Sequence, residues 1–569
     1  MPVWVLSTDS SEEVAVRRIH DHLLIHDSGS AVKEGSYFVA KYPQSTKVHT
    51  AYLEALCRKG EEIEAFQQYS FLFKEEKNEE QKRLISEYLA WGVLDKGENS
   101  PLLLIRLYSL LGAAFTQDAR ALPILLKEMR GSNAFLRSLA VKLSVNYGDE
   151  PLQEELLRLL KEEKVWFVRL EVIQAVGALR IKQARSYLQD VITQGKTLAE
   201  EKAAAIIALV SMYDTVSKEE LSKLLTSNRA GLRHLGSEIM AHLDLREGIE
   251  DLIPLLQDDS LDVRISAMNT LGLLQIKEIK NKSTFFYIQK NLENANSSIS
   301  ITAAWLSIIL GFEEGKHVLR DWMQKEHLEA RRLASAAIAA SGSFGVKLAL
   351  DQIRQETDPY SRANLAIGLI GQRQEVEYSS HVLFQFFQSS GQDLWMWDSA
   401  VSPLFRSLAP SKVRHVDQIP RYPQVVDQLT KLEILSILSI VKYPKALEAV
   451  KKFLKTQESG VASSAAQTLL QEGDESSFAL VRQLLEDPDE EIRIQAAFIL
   501  AMFGGDPTAI KVLVESYPKA DKEMKIHILE AVGHIGDPAT IPFLTDILKE
   551  PFQGLRVVAA AALIQCLYH

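Results

Sequence analysis

The stretch Pro538-Ala-Thr-Ile-Pro-Phe-Leu-Thr-Asp-Ile-Leu-Lys-Glu-Pro551, followed shortly by Gly554-Leu-Arg-Val-Val-Ala-Ala-Ala-Ala-Leu-Ile564, decides the fold. Its first half opens a helix near a proline, which is tolerated there because first-turn amides have no helical partner. That helix presents Ile541, Leu544, Ile547 and Leu548 on one face. The second half is a helix whose small alanines let it approach a neighbour closely. Such a hairpin cannot bury both of its apolar faces alone, so stacked copies must cover them.

Working outward, the same pattern recurs: an acidic residue or asparagine, an aliphatic residue, a basic residue, then an Ala/Leu-rich helix. It is seen at Asn133–Arg137, Lys164–Arg169, Asp259–Arg264, Asp358–Arg362, Asp487–Arg493 and Phe552–Arg556. The basic residues are 32 apart from Arg137 to Arg169, 31 from Arg233 to Arg264, 30 from Arg332 to Arg362, and 32 then 31 from Arg493 through Lys525 to Arg556. In two drifted units Lys202 and Thr302 take the basic position. A size of roughly 150 residues per domain suggests about four compact domains. The period replaces them with an all-α fold, an α-solenoid (superhelix) of stacked antiparallel helix pairs.

These motifs resemble HEAT repeats, specifically the short kind found in the PBS-lyase-like HEAT proteins of bacteria and archaea. The resemblance covers residues 118–375 and 444–569. It implies a protein–protein interaction scaffold, adaptor or regulator, and in a few relatives an enzyme. It also implies that the Asp/Arg pair of each unit is a structural ladder between adjacent hairpins. Residues 1–117 lack the motif but read as helical. Ser10-Ser-Glu-Glu13 forms a capping box whose helix should end near Asp27-Ser-Gly29. Residues 51–69 resemble a degenerate tetratricopeptide hairpin with Gly60 at its turn, and the expected role of 1–117 is an N-terminal cap over the first repeats. Four segments are therefore expected: the 1–117 cap, repeats over 118–375, an irregular Trp/Pro-containing helical insertion over 376–443, and repeats over 444–569.

Proline and glycine number 18 and 28 in 569 residues, below ordinary usage, which favours helix. Four of those prolines fall between Pro403 and Pro423, beside Trp395 and Trp397. An array gains no core from such a break, so Trp395, Trp397, Arg414 and Tyr422 are the expected partner contacts. The net charge of −11 sits at the two ends of the chain and leaves the middle near neutral. That balance argues against nucleic acid, with Arg331, Arg332, Arg406, Arg414 and Arg421 the candidates for a local basic patch. Two cysteines exclude a disulfide framework and suit a reducing, cytoplasmic setting, although export without a recognisable signal stays open. The start is a poor secretory signal, and the longest apolar runs are about half of a membrane span.

Catalytic strings are absent: no His-Glu-x-x-His, Cys-x-x-Cys, Gly-x-Ser-x-Gly or Gly-x-Gly-x-x-Gly occurs. Gly311-Phe-Glu-Glu-Gly315-Lys316 is one residue short of a phosphate loop and reads as an inter-helix turn. His22 and His26 are four apart and, on one helix face, could hold zinc beside a carboxylate. His527 and Glu530 form a single pair, whereas the HEAT hydroxylases that hold two irons carry repeated His-Glu dipeptides. The reading is a non-catalytic scaffold that binds one or more proteins and needs no cofactor. The alternatives are a lyase-like enzyme or cofactor-binding protein with a dispersed site, and a nucleic-acid-binding protein. An enclosed pocket with convergent titratable groups would favour the enzyme, and an open groove the scaffold.

Overall fold

A computed structural model describes residues 11–75, 78–389, 394–398, 404–411, 423–446, 448–449, 479 and 481–568. The fold is all-α, an α-solenoid of stacked helix pairs. Among the described residues the only strands form two short antiparallel pairs. The chain divides into two compact units, residues 153–481 in one and residues 1–152 with 482–569 in the other.

In the 153–481 unit the second helices of successive pairs pack each against the next. They are Trp166–Ala178, Ala199–Ser211, Ala230–His242, Leu261–Leu273, Ser297–Ile309, Leu328–Ala340 and Pro359–Gly371. Several start or stop for local reasons. Asn296 accepts from the amides of Ser298 and Ile299, and Asp358 from that of Ser361, satisfying first-turn donors. At the other end the chain turns through a left-handed residue, as at Arg180, Gln275 and Arg373 with φ of 51°, 53° and 55°. The following amides then reach back five residues, Ile181 to the Val176 carbonyl at 2.9 Å, Ile276 to Leu271 at 3.0 Å and Gln374 to Leu369 at 2.9 Å. Neighbouring second helices touch through small residues. A Cβ on Gly177 would lie 2.6 Å from that of Ala208, and one on Gly368 2.6 Å from that of Ala339.

The repeated arginine does two jobs where one was expected. It closes the turn inside its own unit: Arg493 donates to the Asp487 and Pro488 carbonyls at 2.7 and 3.1 Å, and Arg556 to Glu550 and Pro551 at 2.8 and 3.1 Å. Elsewhere it also forms the expected ladder, Arg233 with Asp258 at 2.6 Å and Arg332 with Asp358 at 2.7 Å. Burial alone would raise the pKa of Asp358, but the hydrogen bonds from Arg332 and Ser361 hold it below the ordinary value.

The other unit joins the two ends of the chain. Helix Gln553–Tyr568 packs on Lys522–Ile535 and, on its far side, on Glu79–Glu98 and Leu103–Phe115. The contact repeats the small-residue packing of the array: a Cβ on Gly112 would lie 2.8 Å from that of Ala561, and one on Gly97 2.9 Å from Val557 Cγ2. Arg556 also reaches Glu62 at 3.2 Å, and the Tyr568 hydroxyl donates to Glu87. The 1–117 and 444–569 segments were expected as separate pieces, yet helices from both share this unit. The hairpin of Thr46–Lys59 and Glu62–Glu75 is present, with Gly60 at φ 79°.

The first helix, Ser11–Leu24, ends earlier than its expected limit, and a new helix opens at Ser28 on the Asp27 cap. His26 stands in the intervening turn at φ 59°, so it shares no helix face with His22. Among the described residues no helix is long and apolar enough to cross a membrane.

Candidate functional site

The break in the array contains a β-hairpin where a helical insertion was expected. Strands Trp395–Asp398 and Ser407–Pro410 pair antiparallel, with Trp397 opposite Leu408. Proline and tryptophan supply little helix propensity, and the extended pairing satisfies backbone groups that this segment could not satisfy as helix.

Trp395 is 1% exposed, its ring 4.6 Å from Phe386 and 5.9 Å from Phe387. Its amide donates to Asp427 Oδ1 at 2.7 Å, and Lys431 Nζ holds the other carboxylate oxygen at 2.7 Å. A side chain so buried has no area to offer a partner, so the expectation does not hold for Trp395. Trp397 is half-buried beneath the Arg406 guanidinium, 5.2 Å from its ring centroid. Arg414 and Tyr422 lie outside the described residues. Of the expected basic patch, Arg331 is paired with Glu356 and Arg332 with Asp358.

Strand Ser407–Pro410 lies across the second helices Leu328–Ala340 and Pro359–Gly371. Buried Asn364 accepts from the Leu408 amide at 2.9 Å and donates to Ser407 Oγ at 3.4 Å and Ser335 Oγ at 3.1 Å. Phe405, 2% exposed, packs on Trp305 at 5.6 Å. The chain thus covers its own second helices at this end of the unit.

Farther toward the N-terminal side of the same unit, a groove of about 530 Å³ runs between helices Trp166–Ala178 and Ala199–Ser211. Leu170, Ala178, Ala204, Ile207 and Ala208 line it, with Glu200 and Arg180 also at its wall. Gly177 also lines it, where the two helices approach too closely to admit a Cβ on the glycine. Ile207 is 71% exposed while adjacent Ile206 is 8% exposed. A signal existed in the sequence: consecutive isoleucines lie about 100° apart around a helix, so one face cannot hold both.

A second, polar cavity of about 310 Å³ opens near Leu160, Arg169, Tyr187, Asp190 and Glu201. Arg169 donates to Glu201 Oε1 at 2.7 Å and to the Lys164 carbonyl at 3.4 Å. That pair neutralises itself. Gly311 turns at φ 93° before helix Glu314–Gln324, and Lys316 Nζ bonds Glu313 at 2.7 Å, which is the geometry of an inter-helix turn. His20 lies 3.4 Å from Glu54, whose hydrogen bond raises the pKa of the imidazole. His527 pairs with Glu530 at 3.4 Å. Among the described residues no three His, Cys, Asp or Glu side chains are grouped to hold a metal ion.

Residues 478–564 match the family model for HEAT repeats. That C-terminal stretch is a run of HEAT repeats. A search of curated proteins finds no match. Among solved structures, the chain is similar to the UNC-45 chaperone, studied for binding and folding muscle myosin, at 12% identity and a TM-score of 0.37, covering 99% of this chain and 82% of that one. It is also similar to the karyopherin Kap121p bound to the extreme C-terminus of the protein phosphatase Cdc14p, at 13% identity and a TM-score of 0.30, covering 98% and 80%.

Proposed function

We propose that this protein is a non-catalytic scaffold or adaptor that takes a segment of a partner protein on the second-helix face of its 153–481 unit. The observation that carries the reading is the open apolar groove beside exposed Ile207. A segment bringing one or two aliphatic or aromatic side chains would bury that isoleucine and the alanines around it, at roughly 25 cal/mol per Å² of apolar area removed from water. Glu200 and Arg180 at the wall would orient the segment through charged groups on it. The polar cavity supports an enzyme less well, because its central Arg169–Glu201 pair is already closed.

The test is a photo-crosslinking side chain placed at position 207 and, as a control, at exposed Glu219 on helix Lys218–Leu225. Protein adducts formed in cells at 207 and not at 219 support the reading. Equal labelling at both positions, or none at 207, rejects it.

A further inference from the structure

The array is interrupted a second time, by an element with the opposite character to the buried hairpin. Elsewhere a three-residue helical turn such as Lys182–Ala184 or Gly342–Phe344 leads into the next first helix. Between Leu261–Leu273 and Thr284–Leu292 the chain instead forms a hairpin, with Glu278 opposite Ser283 and Ile279 opposite Lys282. The motif spacing records the insertion, since Arg264 to Thr302 is 38 residues where about 31 is usual.

The base of this hairpin is anchored and its tip is presented. Ile276 and Ile279 are buried, Thr284 Oγ1 donates to the Ile276 carbonyl at 2.6 Å, and the Tyr287 hydroxyl donates to the Ile279 carbonyl at 3.2 Å. At the tip Lys280 and Asn281 have φ of 50° and 59°, a two-residue turn whose twist matches the strands. Asparagine suits that conformation and lysine does not. A charged side chain is therefore held at the apex against backbone preference.

Residues 277–290 carry Lys277, Lys280, Lys282 and Lys290, all exposed, against one carboxylate, Glu278. Among the described residues none of these four lysines forms an ion pair, whereas Lys316, Lys431 and Lys549 are all paired. Between them stands Phe286, 50% exposed, with Lys282 Nζ 4.4 Å from its ring centroid. Four cations without ion pairs within fourteen residues, one of them set over an exposed aromatic ring, on a chain of net charge −11, form a local exception to the molecule's own electrostatics.

We infer that the 277–290 element is a docking site for an acidic polypeptide segment carrying an aromatic or aliphatic side chain. The carboxylates would meet Lys277, Lys280, Lys282 and Lys290, and the apolar side chain would cover Phe286. A nucleic acid fits less well, because tight phosphate-backbone binding draws on roughly 6–10 cationic contacts and this patch offers four. The inference rests on the reading that the chain binds proteins, but it concerns a different surface from the groove, which crosslinking at position 207 tests separately.

The experiment uses the full chain and fluorescence anisotropy at about 50 mM salt, where screening is weak. Four probes are compared: a short Asp/Glu peptide containing phenylalanine, the same peptide with serine in its place, single-stranded DNA, and vesicles containing anionic lipid. The expected result is tightest binding of the phenylalanine peptide. Lys277→Glu/Lys280→Glu/Lys282→Glu should weaken it by about tenfold or more, with an unchanged melting temperature. Phe286→Ser should abolish the preference for phenylalanine and leave the serine peptide's affinity unaltered. Failure of both peptides to bind, binding that ignores the charge reversals, or DNA or vesicles bound in preference through the same lysines would overturn the inference.

Discussion

Two hairpins interrupt the same helical array, and their contrast is instructive. The 395–410 hairpin turns apolar side chains inward: Trp395, Phe405 and Leu408 are 1%, 2% and 0% exposed. The 278–283 hairpin buries only its base and lifts lysines into solvent. Composition points to the first, since tryptophan and proline are rare and conspicuous. It hides the second, because the lysines vanish into a near-neutral average over the middle of the chain. A break in a repeat marks a departure from the array, but burial decides whether the departure is core or surface.

The contrast breaks most readily at Phe405. Phe405→Ala should cost about 3–5 kcal/mol, the usual range for removing a buried phenylalanine, read as a lower midpoint in chemical denaturation. A loss under about 1 kcal/mol would mean that the hairpin is not part of the core. Asn364→Ala should cost about 1–3 kcal/mol by leaving the Leu408 amide buried without an acceptor. Hydrogen exchange at Leu408 should then accelerate while the 278–283 amides keep their rates.

Acid should also separate the two regions. The folded pKa of Asp358 lies below its ordinary value of 3.8, so its contribution is complete above that value and is lost as pH falls through the lower, folded one. Melting followed from about pH 6 to pH 2.5 should show protection declining around helices Leu328–Ala340 and Pro359–Gly371 below about pH 4, and Asp358→Asn should flatten that decline. The smallest effect belongs to the exposed tip, and its sign is reversed. Lys280→Gly should stabilise by up to about 1 kcal/mol, because glycine enters the left-handed region without the Cβ clash. A destabilised Lys280→Gly protein would show that the tip is not strained as its φ indicates.

Much of the architecture was legible because it is periodic. The arginine spacing and the Ala/Leu-rich helices announce the stack, and the turn-closing bonds of Arg493 and Arg556 follow from an arginine placed in the first turn of a second helix, within reach of the carbonyls before it. The site was less legible. Trp395 looked like an interface residue because its neighbours were proline-rich, and nothing local shows that Phe386 and Phe387 enclose it. His22 and His26 looked paired because a helix was carried past Leu24, whereas the Asp27 cap starts a new one. Ile207 was hidden inside an apolar run that reads as core throughout.

The sequence by itself determined the helix pairs, their period and the demand that every second helix be covered on both sides. In Gln553–Tyr568 that demand is plain, since residues 557–564 are apolar all round and buried throughout. It did not determine what meets the demand at the end of an array. Only the tertiary structure decided that helices Glu79–Glu98 and Leu103–Phe115 cover the last helix, through Gly97, Gly112, Val557 and Ala561. The physical reason is that apolar burial is non-directional: a face of alanine, valine and leucine requires a cover of matching shape but carries no address for it. Shape complementarity between residues some 450 positions apart supplies the address, as the Phe115 carbonyl accepting from Gln565 at 3.5 Å illustrates.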